Sequence, residues 1–365
     1  MLSQHHSTGA NRPAKRFVTL ERKDPEFLKY LDGHGPDGLL ALPVESYAVN
    51  STRERVTFVL EAIHDERPAG WRRVLHACRF EVLSLTLGPA VLAVTAVANW
   101  RTDVDWWSVG LILLALVAIH ASAFARNDYA DHRHGIDRIQ RRRGSQVIQR
   151  GWMSAAEVRT LSRTMLLLSV LFGLPVLYRS DVAVTLLAMI ALAAVLGFSF
   201  SGRGFKYQGA GDVVVGLCMG PLLTLGVIQV LDPAQRLWSM LLGLPLGLAA
   251  VIAFQLRQLE TIMSERTARS GTLVSRLGFD RAKKWIEREF WLIPVVSVLA
   301  VWPWVSKWGL VALFVVTFLG QTPLSLKLRR AKSPLSSNLV GLARRALYYH
   351  LGLVVILMAL MGRAA

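Results

Sequence analysis

Nine stretches of this chain are nearly pure hydrocarbon, and they leave few folds open. They lie near 82–99, 107–126, 161–178, 182–200, 211–230, 237–256, 289–304, 308–326 and 346–362. A bilayer core takes roughly 20 apolar residues to cross as a helix. Backbone amides in lipid must be satisfied within the segment, so runs of this kind become helices. A soluble protein holds one or two of them, hardly nine. The sequence predicts an all-α integral membrane protein of about nine transmembrane helices. The 53% hydrophobic content over 365 residues agrees.

The formal charge is +17, and its distribution says what it is for. The segment after the second run carries Arg133, Arg138, Arg141, Arg142, Arg143, Arg150 and Arg159. Those after the fourth, sixth and eighth carry Arg203 and Lys206, then Arg257 through Arg288, then Lys327 through Arg345. The alternate connections carry only Arg101, Arg179, Arg236 and Lys307. Such alternation sets topology, with the basic loops and the N-terminus cytoplasmic. It points to a multi-pass protein of the inner (cytoplasmic) membrane, in contact with lipid and not with nucleic acid. Oligomeric state is not legible. Cys78 and Cys218 are too few and too far apart for a disulfide framework or a zinc site. The N-terminus has no apolar h-region, so no cleaved signal peptide is expected.

Residues 1–70 are polar and punctuated by "DGHGPDG" and "ERPAG", and read as a small cytoplasmic extension of unknown role. Helices are expected at "DPEFLKYL", capped by Asp24, and at "STRERVTFVLEAIH", capped by Ser51 or Thr52. "GWRRVLHACRF" is expected to lie along the interface. Residues 71–365 then form one helical membrane domain.

Chemistry concentrates where the second run ends, in "ARNDYADHRHGIDRIQRRRGSQV", residues 125–147. Asp128 and Asp131 stand i and i+3 and share a face of a continuing helix. Asn127 is beside them, and Asp137 follows the break at Gly135. Two carboxylates on one face repel, and a hard divalent cation relieves the repulsion. Magnesium takes carboxylate oxygens and keeps positions open for phosphate. This suggests a Mg2+–pyrophosphate site at a bundle edge. Taken alone, D-x-x-D equally fits a solvated loop with flanking charge. His132 and His134 are expected to face solvent, since magnesium prefers oxygen.

"NDYADHRHGID" resembles the first aspartate-rich motif of the UbiA-type membrane prenyltransferases, and within them the 1,4-dihydroxy-2-naphthoate polyprenyltransferase branch. Asn127, Asp128, Tyr129, Asp131, Gly135 and Asp137 match it. "GSQVIQRGWMS" is similar to a second stretch of that branch. "FKYQGAGDVVVGLCMGPLLTLG" is similar to a third, through Lys206, Tyr207, Gly209, Gly211, Asp212, Gly220, Pro221 and Leu222. The resemblance covers roughly residues 71–365. It implies a UbiA-like bundle that transfers a polyprenyl group from a prenyl diphosphate to an aromatic acceptor. The reaction would need Mg2+ and pass through an allylic carbocation. It implies Asp128 and Asp131 as metal ligands, with Asn127 and Asp137 nearby. Lys206, Arg257, Arg266 and Arg79 would bind diphosphate, and Tyr207 would face acceptor or cation. Topology-setting charge is the alternative for Lys206, Arg257 and Arg266.

The family's second motif is altered here, in "RQLETIMSERTARSGTLVSRLG". Aligned without gaps, its two aspartates fall on Thr261 and Glu265. A gapped register makes Glu260 the acid and sets Arg257 on the motif's arginine. Both registers stay open, so Glu265 and Glu260 are both candidate metal ligands. Arg257, Thr261 and Glu265 are spaced to share a helical face, with one acid where the family has two. A terpene cyclase of the same fold, or an inactive membrane protein that has kept it, are the alternatives.

Overall fold

The computed structural model describes residues 16–62, 67–139, 144–200, 203–234 and 238–362. Arg141, Arg142, Arg143 and Arg236, counted above for topology, lie outside the described residues.

The N-terminal region departs from the all-helical expectation. Strands β1 (Arg16–Glu21), β2 (Leu40–Tyr47) and β3 (Arg55–Glu61) form an antiparallel sheet in the order β1-β3-β2. The expected helix from Ser51 is instead β3 (its last residues, 63 and 64, are outside the described residues). The reason is period: Val56, Phe58 and Leu60 alternate onto one buried face, which is strand spacing. Pro43 is tolerated because β2 is an edge strand, with a register shift between Pro43 and Glu45. The short helix α1 (Phe27–Leu31) forms within its expected segment, but Asp24 does not cap it. The Asp24 carboxylate accepts from the Glu21 amide instead. Phe27, Tyr30 and Leu31 close the sheet's own core with Val56, Phe58 and Leu60.

Helices α2 (Gly70–Cys78), α3 (Ser84–Trp100), α4 (Trp106–His134), α5 (Ile136–Ile139) and α6 (Ala155–Arg179) follow. Next come α7 (Val182–Phe198), α8 (Gly211–Cys218), α9 (Pro221–Leu231), α10 (Trp238–Glu260) and α11 (Ile262–Thr267). The chain ends with α12 (Leu273–Leu277), α13 (Phe279–Val301), α14 (Lys307–Arg330) and α15 (Leu342–Met361). Among the described residues each predicted apolar run is largely helical, but six segments are long and apolar enough to cross a membrane by themselves. Residues 70–82 and 84–100, bent by 61°, make a seventh if taken as one span. Helix α7 is shorter, and α13 opens with two charged turns.

Two features of the bundle place the site. First, α4 has 29 residues, about 43 Å at 1.5 Å per residue. Its start is fixed by Asp105, whose carboxylate accepts from the amides of Trp107 and Ser108. A hydrocarbon core of about 30 Å is shorter than that, and the charged last turns, from Asn127 onward, are the part of α4 that lipid disfavours. Second, α8 and α9 break at Gly220–Pro221, where α10 comes very close. A Cβ on Gly220 would meet the Gly243 oxygen at 2.5 Å, and one on Gly247 the Gly216 oxygen at 2.2 Å. Glycines four apart let the backbones touch, so α10 sits deep in the bundle.

Candidate active site

The end of α4 carries a buried polar cluster. Asp131 accepts from Lys206 Nζ at 2.6 Å on both oxygens, from Tyr207 Oη at 2.8 Å and from Asn127 Nδ2 at 3.1 Å. Lys206 Nζ also donates to Asn127 Oδ1 at 2.9 Å, where Ser199 Oγ donates at 3.1 Å. Asp128 is paired with Arg79 and accepts from the Ser145 amide at 3.1 Å. Arg79 reaches it because the residue sits left-handed (φ 50°) at the bend between α2 and α3. That conformation costs a non-glycine residue roughly 1–2 kcal/mol. Its persistence here fits a guanidinium committed to a carboxylate.

Gly144 (φ 75°) brings Asp137 into the same pocket. A Cβ there would lie 2.7 Å from Arg79 Nη2, 3.2 Å from Asp128 Oδ1 and 3.3 Å from Asp137 Oδ2. Asn127, Asp128, Asp131, Asp137, Arg79, Lys206 and Tyr207 therefore converge. The sequence reading missed the Ser145 amide and Ser199. Ser199 has a weak signal, a polar residue where an apolar run ends.

The second motif divides. Glu265 is fully buried, accepts from Thr261 Oγ1 at 3.3 Å and is hydrogen-bonded by the Thr272 hydroxyl. Glu260 turns the other way: it pairs with Arg257 at 3.0 Å and accepts the Ala343 amide at 3.0 Å, at the start of α15. Helix α10 ends at Glu260 and Thr261 is not helical, so the shared face expected for Arg257, Thr261 and Glu265 is interrupted. The Thr261 hydroxyl nevertheless bonds both the Arg257 carbonyl and Glu265. Arg266 is exposed.

The 206–212 segment ties the two regions together. Lys206 and Tyr207 point to Asp131, while Asp212 accepts from Gln255 at 3.0 Å and Gln258 at 3.5 Å. Gly271 packs against the Tyr207 carbonyl, where a Cβ would clash at 2.2 Å. Gln255 was also missed; a polar residue near the end of an apolar helix is its signal.

His132 and His134 do not face solvent as expected. Both are buried beneath the N-terminal sheet, His132 donating to the Leu31 carbonyl at 2.9 Å. His134 stacks on Tyr207 with ring centres 4.6 Å apart. Arg138 is buried against Glu54 at 2.6 Å. Burial pushes the Arg138 guanidinium below its ordinary pKa, and the Glu54 carboxylate opposes that.

Comparison with known proteins bears on the fold and the family. The profile of the UbiA prenyltransferase family matches residues 86–361. A UbiA prenyltransferase domain-containing protein 1 of Dictyostelium discoideum is 23% identical over 54% of this chain and 62% of its own length, so under two thirds of that relative is spanned. A 1,4-dihydroxy-2-naphthoate octaprenyltransferase of Mycobacterium leprae is 26% identical over 69% of this chain and 81% of its own. Among solved structures, a UbiA homologue of Archaeoglobus fulgidus bound to GPP and Mg2+ has a TM-score of 0.58 at 13% identity, covering 79% of this chain and 99% of its own. A UbiA homologue of Aeropyrum pernix has a TM-score of 0.53 at 15% identity, covering 77% and 96%. At such identity the structures speak for the fold, and the profile match, which takes in most of the chain, speaks for the family: this chain belongs to the UbiA prenyltransferase family.

Proposed function

We propose that the protein transfers a prenyl group from a prenyl diphosphate to an aromatic quinone-precursor acceptor, with Mg2+, at the end of the bundle where α4 ends. The observation that carries this reading is the double pairing of Asp128 with Arg79 and Asp131 with Lys206. Two anions and two cations cancel in a buried place. A Mg2+–diphosphate unit presents the same two signs. Its arrival would let the four groups exchange partners: Arg79 and Lys206 to phosphate oxygens, Asp128 and Asp131 to the metal. Each of the four groups would keep a partner of opposite sign, which matters where dielectric is low.

The donor set fits the ion. Asn127, Asp128, Asp131 and Asp137 would each present oxygen to a metal. Among the described residues no three acidic, His or Cys side chains form a protein-only metal cage. Magnesium does not require one, because it keeps waters and shares substrate phosphates. Bound Mg2+ would supply Lewis-acid stabilisation of the diphosphate as it leaves. The chain's residues would do the rest. Arg79 and Lys206 stabilise the departing charge, Arg79 with the planar fork that suits phosphate. Tyr207 and Asn127 hold the Asp131 carboxylate in place. The apolar helices shield an allylic cation from water until the ring attacks.

The acceptor class is supported by relatives named 1,4-dihydroxy-2-naphthoate octaprenyltransferase. Basic loops at this end support a cytoplasmic site and N-terminus in the inner membrane, with nine helices spanning. A cyclase is the second reading. It is favoured by Glu260, which turns to α15 and leaves the second motif with Glu265 as its inward acid.

The test is a membrane assay with radiolabelled farnesyl and longer prenyl diphosphates, with and without Mg2+. Acceptors are dihydroxynaphthoate, other aromatics, or none. A labelled aromatic product that needs both Mg2+ and acceptor is expected. Hydrocarbon or alcohol formed without acceptor would favour the cyclase, and intact diphosphate in every arm would overturn both readings.

A further inference from the structure

The N-terminal sheet grips the two acid-bearing loops at once. Its β2–β3 loop inserts Val49 into a cluster with Ile136, Tyr207 and Ala268. Those three residues come from α5 beside Asp137, from the segment that holds Asp131, and from the loop after Glu265. Val49 also fills the space over Gly135, where a Cβ would lie 2.1 Å from Val49 Cγ1. The next residue, Asn50, lies with Nδ2 3.3 Å from Nε2 of His134, the ring stacked on Tyr207.

Glu54 adds a charged hold. It pairs with Arg138 at 2.6 Å and with Arg22 at 2.9 Å. Arg138 in turn donates to the His132 carbonyl at 2.9 Å. Neighbouring residues thus face opposite ways: Asp137 toward Asp128 and Arg79, Arg138 toward the sheet. Asp32 holds the far side through Arg133 at 3.1 Å and the Ala156 amide at 3.1 Å.

The loop is shaped for this contact. Ala48 (φ 49°) and Asn50 (φ 57°) are both left-handed and flank Val49. Alanine gains nothing locally from that conformation, and such strain persists only where the surroundings over-determine it. Val49 also belongs to none of the sheet's own core. Its apolar surface is spent on the acid loops.

We propose that residues 16–61 are a built-in clamp, with Val49, Asn50 and Glu54 as positioning residues. They hold the Asp131–Asp137 segment and the Glu265–Ala268 segment in the register that a metal–diphosphate unit needs. The clamp rests on the prenyl-transfer reading for its purpose, but not for its existence. Val49, Asn50 and Glu54 act through Tyr207, His134 and Arg138.

The experiment uses the full chain in lipid nanodiscs, with Val49→Ala and Asn50→Gly as separate variants. Neither touches the sheet's core, and glycine keeps the left-handed backbone without strain. Hydrogen exchange is followed in residues 127–139 and 261–272, where local opening reports how firmly each is held. Affinity for farnesyl thiolodiphosphate, whose carbon–sulfur bond resists cleavage to the allylic cation, is measured with Mg2+ alongside. In Val49→Ala both segments should exchange faster together, by roughly fivefold for two lost buried methyls. Strand amides should be unchanged, the thiolodiphosphate Kd should rise, and KM for diphosphate should rise more than kcat falls. Asn50→Gly should do the same more weakly. Unchanged exchange in either segment, or faster exchange with unchanged Kd, would overturn the clamp. A wild-type protein that binds no prenyl diphosphate would overturn the prenyl-transfer reading instead. The exchange data would then decide the clamp alone.

Discussion

Lys206 Nζ lies 2.6 Å from both carboxylate oxygens of Asp131, and each side chain is only 1% exposed. This is a buried ion pair, and breaking one is costlier than never having it. Removing one partner of such a pair typically costs about 3–5 kcal/mol. Lys206→Met should therefore lower the melting temperature in detergent markedly. The double variant with Asp131→Leu should recover much of that loss while remaining inactive. If Lys206→Met melts with the wild type, the ammonium is not the charge that balances Asp131.

Gly144 is held at φ 75° with the site's atoms around it. An alanine there would strain the backbone and push Arg79 from Asp128. Misplacement by about an ångström can cost a hundredfold in rate. Gly144→Ala should raise KM for prenyl diphosphate by roughly tenfold to a hundredfold on that ground. The transmembrane helices should stay folded by circular dichroism. A kinetic profile like the wild type's would show that diphosphate binds elsewhere.

Much of this was legible in one dimension, where the determinants are local. Hydropathy marks every long helix, and the i, i+3 spacing of Asp128 and Asp131 marks their shared face. The side chains from outside α4 that meet them are Arg79, Lys206 and Tyr207, each of which carries a motif signal, while Ser199 reaches only Asn127. The N-terminal sheet is hidden because Ser51 and Thr52 have the chemistry of helix caps, whereas the strand declares itself by the buried alternation of Val56, Phe58 and Leu60. Burial of His132 and His134 follows from that sheet, so it was hidden with it. One of the two partners of Glu260 is an amide 83 residues away, which no local pattern announces.

Metal dependence offers a separate check. Asp128→Asn keeps the shape of the carboxylate but removes its charge. Turnover should fall by roughly a hundredfold or more, as when a group that stabilises developing charge is lost. Chelation of Mg2+ should abolish wild-type turnover reversibly. Arg79→Lys should weaken diphosphate binding less than Arg79→Ala, since an ammonium keeps the charge but not the fork. Full activity of Asp128→Asn would remove this residue from the metal site.

The two candidate acids of the altered motif should separate cleanly. Glu260 is bonded to Arg257, which is partly exposed, and to an amide at the start of α15. A carboxylate at a helix N-terminus contributes about 1 kcal/mol or less, and an exposed pair little more. Glu260→Gln should lower the melting temperature slightly and leave kcat/KM within about threefold of the wild type. Glu265 is fully buried, with its carboxylate held by Thr261 and Thr272 and facing the region of Asp212. Glu265→Gln should raise the Mg2+ concentration for half-maximal turnover and lower kcat. The opposite ranking, with Glu260→Gln metal-sensitive and Glu265→Gln merely less stable, would mean that α10 rotates or extends when substrate binds. The gapped register of the motif would then be the functional one.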